Sequence, residues 1–409
     1  MENVKNAVRS QWNRVKPVFQ KHGDILLVAL ALAVLAGGVI RYAGKMKITH
    51  TETPGIVFTQ WWEEDTENGC LQSLADEFES LHDGIKVTIN YMPYEEMKEK
   101  FFEPAISDGS DGERAPDICA LDPLWVPEQT KAPLVSFINV LFYNVDILKE
   151  AGFSRPPKTR GEFLEYARTI TGKDENCRGL AMGLYSQRGV YDDVYPWIYS
   201  AGARLTGDKK PAANSRRIIE CLTFLTALYN ENLITQDALS ADSEKKLENF
   251  VSGRAAFMIA PSSDIERVRK LMGDEAFSVS AVPPPDNYAG KFYYAGAGWT
   301  TGINPASARR EEAGLFADFL AEKAAFLSEA ARAIPGNGAP PPRDPFYSKV
   351  WDIAIAGEYA PDFTGLPWNE MESIFRKELT SLFAGTTTPA ETAGAIQKEW
   401  ENITDICIN

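Results

Sequence analysis

The chain has 409 residues, 44% hydrophobic and 24% charged, which suits two domains with ordinary cores and excludes a disordered or fibrous chain. A net charge of −15 has the wrong sign for tracking a phosphate backbone, so nucleic acid is not an expected partner. Three histidines and five cysteines leave many metal and nucleophile chemistries short of side chains.

The chain opens with a basic, polar segment at 1–24, followed by the uncharged run Ile25 to Ile40 and then Arg41, Lys45 and Lys47. Residues 1–47 carry a net +6 and the remaining 362 residues −21. Extended to Gly44, the run reaches the ~20 residues a bilayer-spanning helix needs. Five basic residues precede it and three follow, which predicts a membrane anchor at 25–44 with the N-terminus inside and the bulk of the chain on the extracytoplasmic, periplasmic side. The competing reading is a cleaved signal peptide, with Ala36 and Gly38 as the small residues of the cleavage site. The long preceding segment and the lack of a Cys after the run for lipid attachment favour the uncleaved anchor.

After the anchor, Ile56–Trp62 is a strand. A helix follows Asn68, with Leu71, Leu74, Ala75, Phe78 and Leu81 on one face, stopped by His82-Asp83-Gly84. Ile85–Tyr91 alternates as a second strand, and Pro116–Leu121 is a short buried third. This β-α-β-β order predicts an α/β layer with parallel strands. Val140–Tyr143 is another strand. Pro156–Ile170 is a helix whose Thr159 and Glu162 match a capping box. A helix over Arg216–Tyr229 points Ile218, Ile219, Leu222, Leu225 and Tyr229 inward. Strands at Ala255–Ala260 and Phe277–Val282, a helix at Ala313–Leu327, a loop at Pro335–Pro342 and C-terminal helices complete the pattern.

Catalytic motifs are absent. G-x-S-x-G, H-E-x-x-H and the P-loop do not occur, and Gly296-Ala-Gly298-Trp-Thr-Thr-Gly302 has the wrong spacing for a dinucleotide fingerprint. Only His50 and His82 lie beyond the anchor, neither near a nucleophile motif, and no cysteine pair has C-x-x-C spacing. The reading is of a non-enzyme with no metal and no cofactor. An oxidising compartment allows one or two disulfides, with the pairing left open. Cys119 and Cys221 lie in apolar runs and read as buried small hydrophobes.

Aromatic residues do gather near Gly, Pro and acidic residues at the ends of elements. They are Trp61-Trp62-Glu63-Glu64, Asp122-Pro-Leu-Trp125, Tyr191, Tyr195 and Trp197, Tyr293-Tyr294 with Trp299, and Pro367-Trp368. Rings that stack on a sugar face, with carboxylates accepting from hydroxyls, suit a carbohydrate cleft beyond the carboxyl ends of the strands. The plainer reading of any single ring is packing, which Tyr143 and Trp197 fit best, and only one of Trp61 and Trp62 should face a cleft.

The run from Tyr143 to Phe163, FYNVDILKEAGFSRPPKTRGEF with its leading Phe142, resembles the family 1 extracellular solute-binding proteins of ABC importers, the group containing the maltose-binding protein. IVFTQWW, LQSLADEFESLHDGIKVTI, APDICALD, GRAAFMIAPSS, AVPPPD, GWTTGINPAS and EEAGLFADFLAE extend the resemblance in order. It implies an α/β fold of two discontinuous lobes joined by hinge strands, the type II periplasmic binding protein fold. Lobe 1 would be 55–136 plus 283–328 and lobe 2 would be 137–282 plus 329–405, with crossings near Phe137 and Val282. The implied function is capture of a sugar or oligosaccharide in the interlobe cleft and delivery to permease subunits, through hinge closure. Matched position by position, the ligand contacts would be Trp62, Glu63, Glu64, Asp122, Trp125, Phe137, Tyr191, Tyr195, Ser262, Trp299 and Trp368.

Three departures stand out. Phe137 occupies a position that is often polar in sugar binders. Pro261-Ser262-Ser263 replaces the turn where the family often has a tryptophan. Only Val126–Phe142 fills a stretch where typical members have several tens more residues, which predicts a more open cleft. Two further readings stay open. One is a ferric or other small-solute binder that uses the vicinal phenols of Tyr293 and Tyr294. The other is a membrane-anchored sensor or scaffold that no longer transports.

Overall fold

In the computed structural model of the chain, the first strand forms as β1 (Gly55–Gln60). The structure describes residues 55–62, 69–93, 96–97, 116–122, 134–186, 188–207, 210–294, 296–331, 333–335, 344–360, 363 and 366–408. The expected anchor at 25–44 lies outside the described residues. Among the described residues no helix is long and apolar enough to cross a membrane.

β1 pairs in parallel with β2 (Lys86–Tyr91) and with β3 (Ile118–Leu121), in the order β2-β1-β3. Between β1 and β2, helix α1 (Cys70–Leu81) buries Leu71, Leu74, Ala75 and Phe78 on the face that the periodicity predicts. Its N-cap is Gly69, at φ 64, a left-handed conformation that glycine adopts without steric cost. His82 ends the helix. Its Nδ1 lies 3.1 Å from the Phe78 carbonyl and its ring stacks on Phe78 at 4.2 Å.

β4 (Val135–Asn144) is longer than the expected Val140–Tyr143. Asn144 caps α2 (Val145–Ala151) by accepting from the Asp146 and Ile147 N–H groups. Thr159 caps α3 (Arg160–Lys173) by accepting from the Glu162 N–H at 3.2 Å; such a cap contributes ~1 kcal/mol. The Glu162 carboxylate does not close the expected box. It accepts from the Lys158 N–H and pairs with Arg155, whose hydrogen bonds hold it down at about 2. The chain then forms β5 (Arg178–Ala181), the short helices α4 (Gly189–Asp193) and α5 (Tyr195–Ser200), the β6–β7 ribbon (Thr206–Gly207 with Lys210–Pro211), α6 (Arg216–Asn230) and α7 (Ser243–Val251). α6 buries Ile218, Cys221, Leu222, Leu225 and Leu228, while Ile219 and Tyr229 stay half-buried at the edge of the core.

β8 (Ala255–Pro261) lies antiparallel to β4 and parallel to β5. After α8 (Ile265–Met272), β9 (Phe277–Ser280) also pairs with β4. Neighbouring residues of β4 point to opposite faces, as in any strand. Leu141 enters one core with Phe163, Trp197, Leu225 and Trp400, while Val140 and Phe142 enter another with Phe250, Met258 and Phe277.

β10 (Tyr293–Tyr294) leads into β11 (Gly296–Ile303). The first half of β11 is antiparallel to β4, with Gly296 opposite Ile138 and Trp299 opposite Val135. Its second half is antiparallel to β3, from Thr300 opposite Leu121 to Ile303 opposite Ile118. Two strands, β4 and β11, therefore join the β2-β1-β3 layer to the β8-β5 layer. The helix expected at Ala313–Leu327 is two helices, α9 (Arg310–Glu322) and α10 (Ala324–Ala330), broken at Lys323. Ala313, Phe316, Leu320 and Leu327 complete the core begun by Ile56, Phe58, Leu74 and Phe78. β12 (Ile334–Pro335) pairs with β4. α11 (Pro345–Ala356), β13 (Glu358–Tyr359) beside β10, α12 (Trp368–Phe383) and α13 (Pro389–Ile408) follow. Cys70, Cys119, Cys177 and Cys221 are all buried. Burial pushes the Cys119 thiol up to about 12.

Candidate functional site

The helix α4 is only five residues long, too short to stand by propensity alone. Glu372, one turn into α12, holds it. Its Oε1 accepts from the Val190 and Tyr191 N–H groups at 3.1 and 3.3 Å, two donors that a helix start leaves without intrahelical partners. Burial pushes the Glu372 carboxyl up to about 8, with the nearby Asp192 charge adding to the rise.

This anchoring fixes Tyr191. Its hydroxyl donates to the Gly296 carbonyl of β11 at 3.0 Å, and its ring meets Trp368 edge-on at 6.4 Å. The Arg188 guanidinium lies over the same ring, 4.7 Å from its centre. Arg188 also pairs with Asp122, at the carboxyl end of β3, at 3.3 Å and with Asp192 at 3.6 Å. Asp192 accepts from the Asn139 amide of β4 at 3.0 Å. A continuous polar chain thus runs from β3 through α4 to β4, spanning the seam between the two layers. The Arg188 and Asp122 side chains are 18% and 3% exposed, so solvent screens this pair far less than a surface ion pair. Behind it, Asp193 turns the other way to a buried ion pair with Lys246 of α7 at 2.7 Å.

The sequence-predicted residues have different fates. Asp122, Tyr191 and Trp368 come together around Arg188. Trp62 is half-buried against the core of Ile56 and Phe58 just past β1, its N–H donating to Gln60, and Trp61 packs on the same core. Phe137 is half-buried on β4 against the same core, in register with Ala297. Two others have structural positions. Tyr195 is buried in the core of Leu141 and Trp197, stacks on Phe363 at 5.4 Å and meets Phe375 of α12 edge-on at 5.2 Å. Ser262 is fully buried, and its Oγ accepts from the Ile138 N–H at 3.2 Å, tying the end of β8 to β4. Glu63, Glu64 and Trp125 lie outside the described residues, and Trp299 is placed by its backbone register alone.

Sequence reasoning missed Arg188, Asp192, Asn139 and Glu372. A signal was present: Arg188, Asp192 and Asp193 interrupt an otherwise apolar run around Tyr191. Tyr293 and Tyr294 pack on different cores, so their phenols do not converge on one ion. Among the described residues no group of three His, Cys, Asp or Glu side chains is arranged to hold a metal. The gathered groups are a guanidinium and carboxylates, suited to hydrogen-bonding a polar solute, beside the rings of Tyr191 and Trp368, which are buried in the same core as Tyr195.

Two α/β layers that share strands, with aromatic and charged side chains collected where they meet, define the fold of two-lobe solute-binding proteins. The sequence profile of the bacterial extracellular solute-binding protein family matches residues 65–325, and the chain belongs to that family. The chain is similar to a probable ABC transporter-binding protein of Deinococcus radiodurans, 22% identical over 276 residues, which make up 63% of this chain and 64% of that protein. The chain thus spans just under two thirds of that relative's length. Its fold is similar to that of the sugar-binding protein MalE from Xanthomonas citri, with TM-score 0.70 and 16% identity, covering 86% of this chain and 98% of the other. It is also similar to a cyclic α-maltosyl-1,6-maltose binding protein from Arthrobacter globiformis, with TM-score 0.71 and 15% identity, covering 86% and 99%.

Proposed function

We propose that the chain is the solute-receiving subunit of an ABC importer, taking a sugar or oligosaccharide between two lobes and presenting the closed form to permease subunits. The observation that carries this reading is the Asp122–Arg188–Asp192 chain flanked by Tyr191 and Trp368, which spans the seam where a solute must be gripped from both sides. Family membership and the sugar-binding proteins that share the fold support it. In this reading lobe 1 begins with 55–136 and lobe 2 with 137–282. The pairing of β11 with both β4 and β3 supports a second crossing within 296–300, later than Val282. Residues 283–294 go with lobe 2, since the Pro284 carbonyl accepts from the Arg160 N–H at 2.9 Å and Asp286 from the Gly161 N–H at 3.1 Å. Arg188 then serves as the residue that closes on the solute, exchanging Asp122 for sugar hydroxyls. Residues 25–44 anchor the receptor in the cytoplasmic membrane with its lobes on the extracytoplasmic side, a reading carried by the sequence.

The test is thermal unfolding of the full chain against a panel of mono- and oligosaccharides. A true ligand at a hundredfold excess over its Kd adds ~2.7 kcal/mol. We expect one sugar class to stabilise and Trp368→Ala to weaken that effect at least tenfold in Kd. A panel silent on folded protein overturns the sugar reading.

A further inference from the structure

A second polar concavity lies at the amino ends of β5 and β8, the opposite edge of the sheet from α4. It measures about 440 Å³, and every side chain lining it is polar or charged, among them Arg178, Thr235, Asp237, Lys245, Asn249 and Arg254. With no aromatic or aliphatic wall it cannot stack a sugar ring, so it is not an extension of the interlobe site.

Two residues of its wall each carry a buried polar atom without a partner. Thr235 is 6% exposed and its Oγ1 has no hydrogen-bond partner, although its own N–H donates to the Leu180 carbonyl at 2.9 Å. Arg178 Nε is likewise buried without an acceptor, while its Nη1 is held by the Glu175 and Cys177 carbonyls. Each buried polar group left unpaired costs ~1–3 kcal/mol. Both orphans can donate, so a group rich in acceptor oxygens satisfies them together. The lining carries three cations, Arg178, Lys245 and Arg254, against the carboxylates of Glu175 and Asp237. Both oxygens of Asp237 already accept from the Asn249 amide, at 3.0 and 3.1 Å. Lys245 and Arg254 share the exposed Glu248, a surface pairing that a bound anion exchanges at little cost.

The geometry points to a second ligand site here, for a small oxyanion that presents a phosphate or carboxylate group to Arg178 and Thr235, with Lys245 and Arg254 at the mouth. It does not rest on the sugar reading, and its occupancy is measured without sugar.

The experiment is isothermal titration of the full chain at low ionic strength with inorganic phosphate in one arm and citrate in the other. We expect saturable one-to-one binding of at least one anion, the arm that responds naming the source. Binding should weaken at least tenfold in Thr235→Val and Arg178→Met. Lys245→Gln, a change at the rim that leaves the buried atoms untouched, should weaken it severalfold and reduce its salt dependence. Failure of both anions to bind the wild-type chain saturably, or undiminished binding in the folded variants, overturns the assignment.

Discussion

Glu372 combines two duties that conflict. As an acceptor it ties the start of α4 to α12, yet its burial disfavours the carboxylate and pushes the group up to about 8 from an ordinary value of 4.5. Between those values the folded chain binds a proton that the unfolded chain has released, so stability falls as pH rises from about 4.5 to about 8 and levels off above. Glu372→Gln keeps an acceptor for Val190 and Tyr191 and removes the titration. Thermal unfolding of the two forms should coincide near pH 4. By pH 8.5 the variant should be more stable by on the order of 5 kcal/mol. Parallel pH profiles would contradict a buried, titrating Glu372. Asp122 and Tyr191, singled out in the sequence, both contact Arg188, and Trp368 meets the Tyr191 ring. Arg188 and Glu372 were not, because a charged residue shows its purpose only once its partner is near, and Glu372 sits 182 residues from Val190.

At the scale of elements, periodicity gave α1, α3 and α6 nearly to their ends, because their apolar faces repeat at the helical period. It gave too little of β4. Ser136 and Asn139 interrupt the apolar run, and those positions are where the strand passes the seam and changes partners. It also overlooked α4 and α5, which depend on contacts from α12 and not on a repeat of their own. The crossing itself requires close backbone approach. A Cβ on Gly298 would lie 2.4 Å from the Val135 carbonyl oxygen, and one on Gly296 would lie 2.2 Å from that of Phe137. Backbone atoms give way poorly, so Gly298→Ala should lower stability by ~1–3 kcal/mol. It should also weaken solute binding, because the joint between the layers is displaced. Chemical denaturation and a ligand titration read the two effects, and an unchanged midpoint would show that β11 has room to spare.

For the whole molecule, the charge is divided unevenly, with +6 on residues 1–47 and −21 on the rest. Under the proposed anchor, this asymmetry puts the basic segment inside and the acidic bulk outside. The chain should therefore sediment with membranes, resist extraction at alkaline pH and retain residues 1–24 on N-terminal sequencing. A mature start near Val39 would replace the anchor with a signal peptide. The α/β class was readable from element order, whereas the strand exchange was not, since it depends on pairings between residues as distant as Ile118 and Ile303.

That exchange sets a timetable for the nascent chain. β1, β2 and β3 leave the ribosome early, but β11, which flanks β3, and Phe316 and Leu320, which cover Phe58 and Phe78, come about 175 residues later or more. At ~5–20 residues per second the first layer waits roughly 10–30 s with its apolar face uncovered. The start of the chain is thus among the last parts to finish folding, and for that interval it depends on whatever escorts unfinished polypeptides.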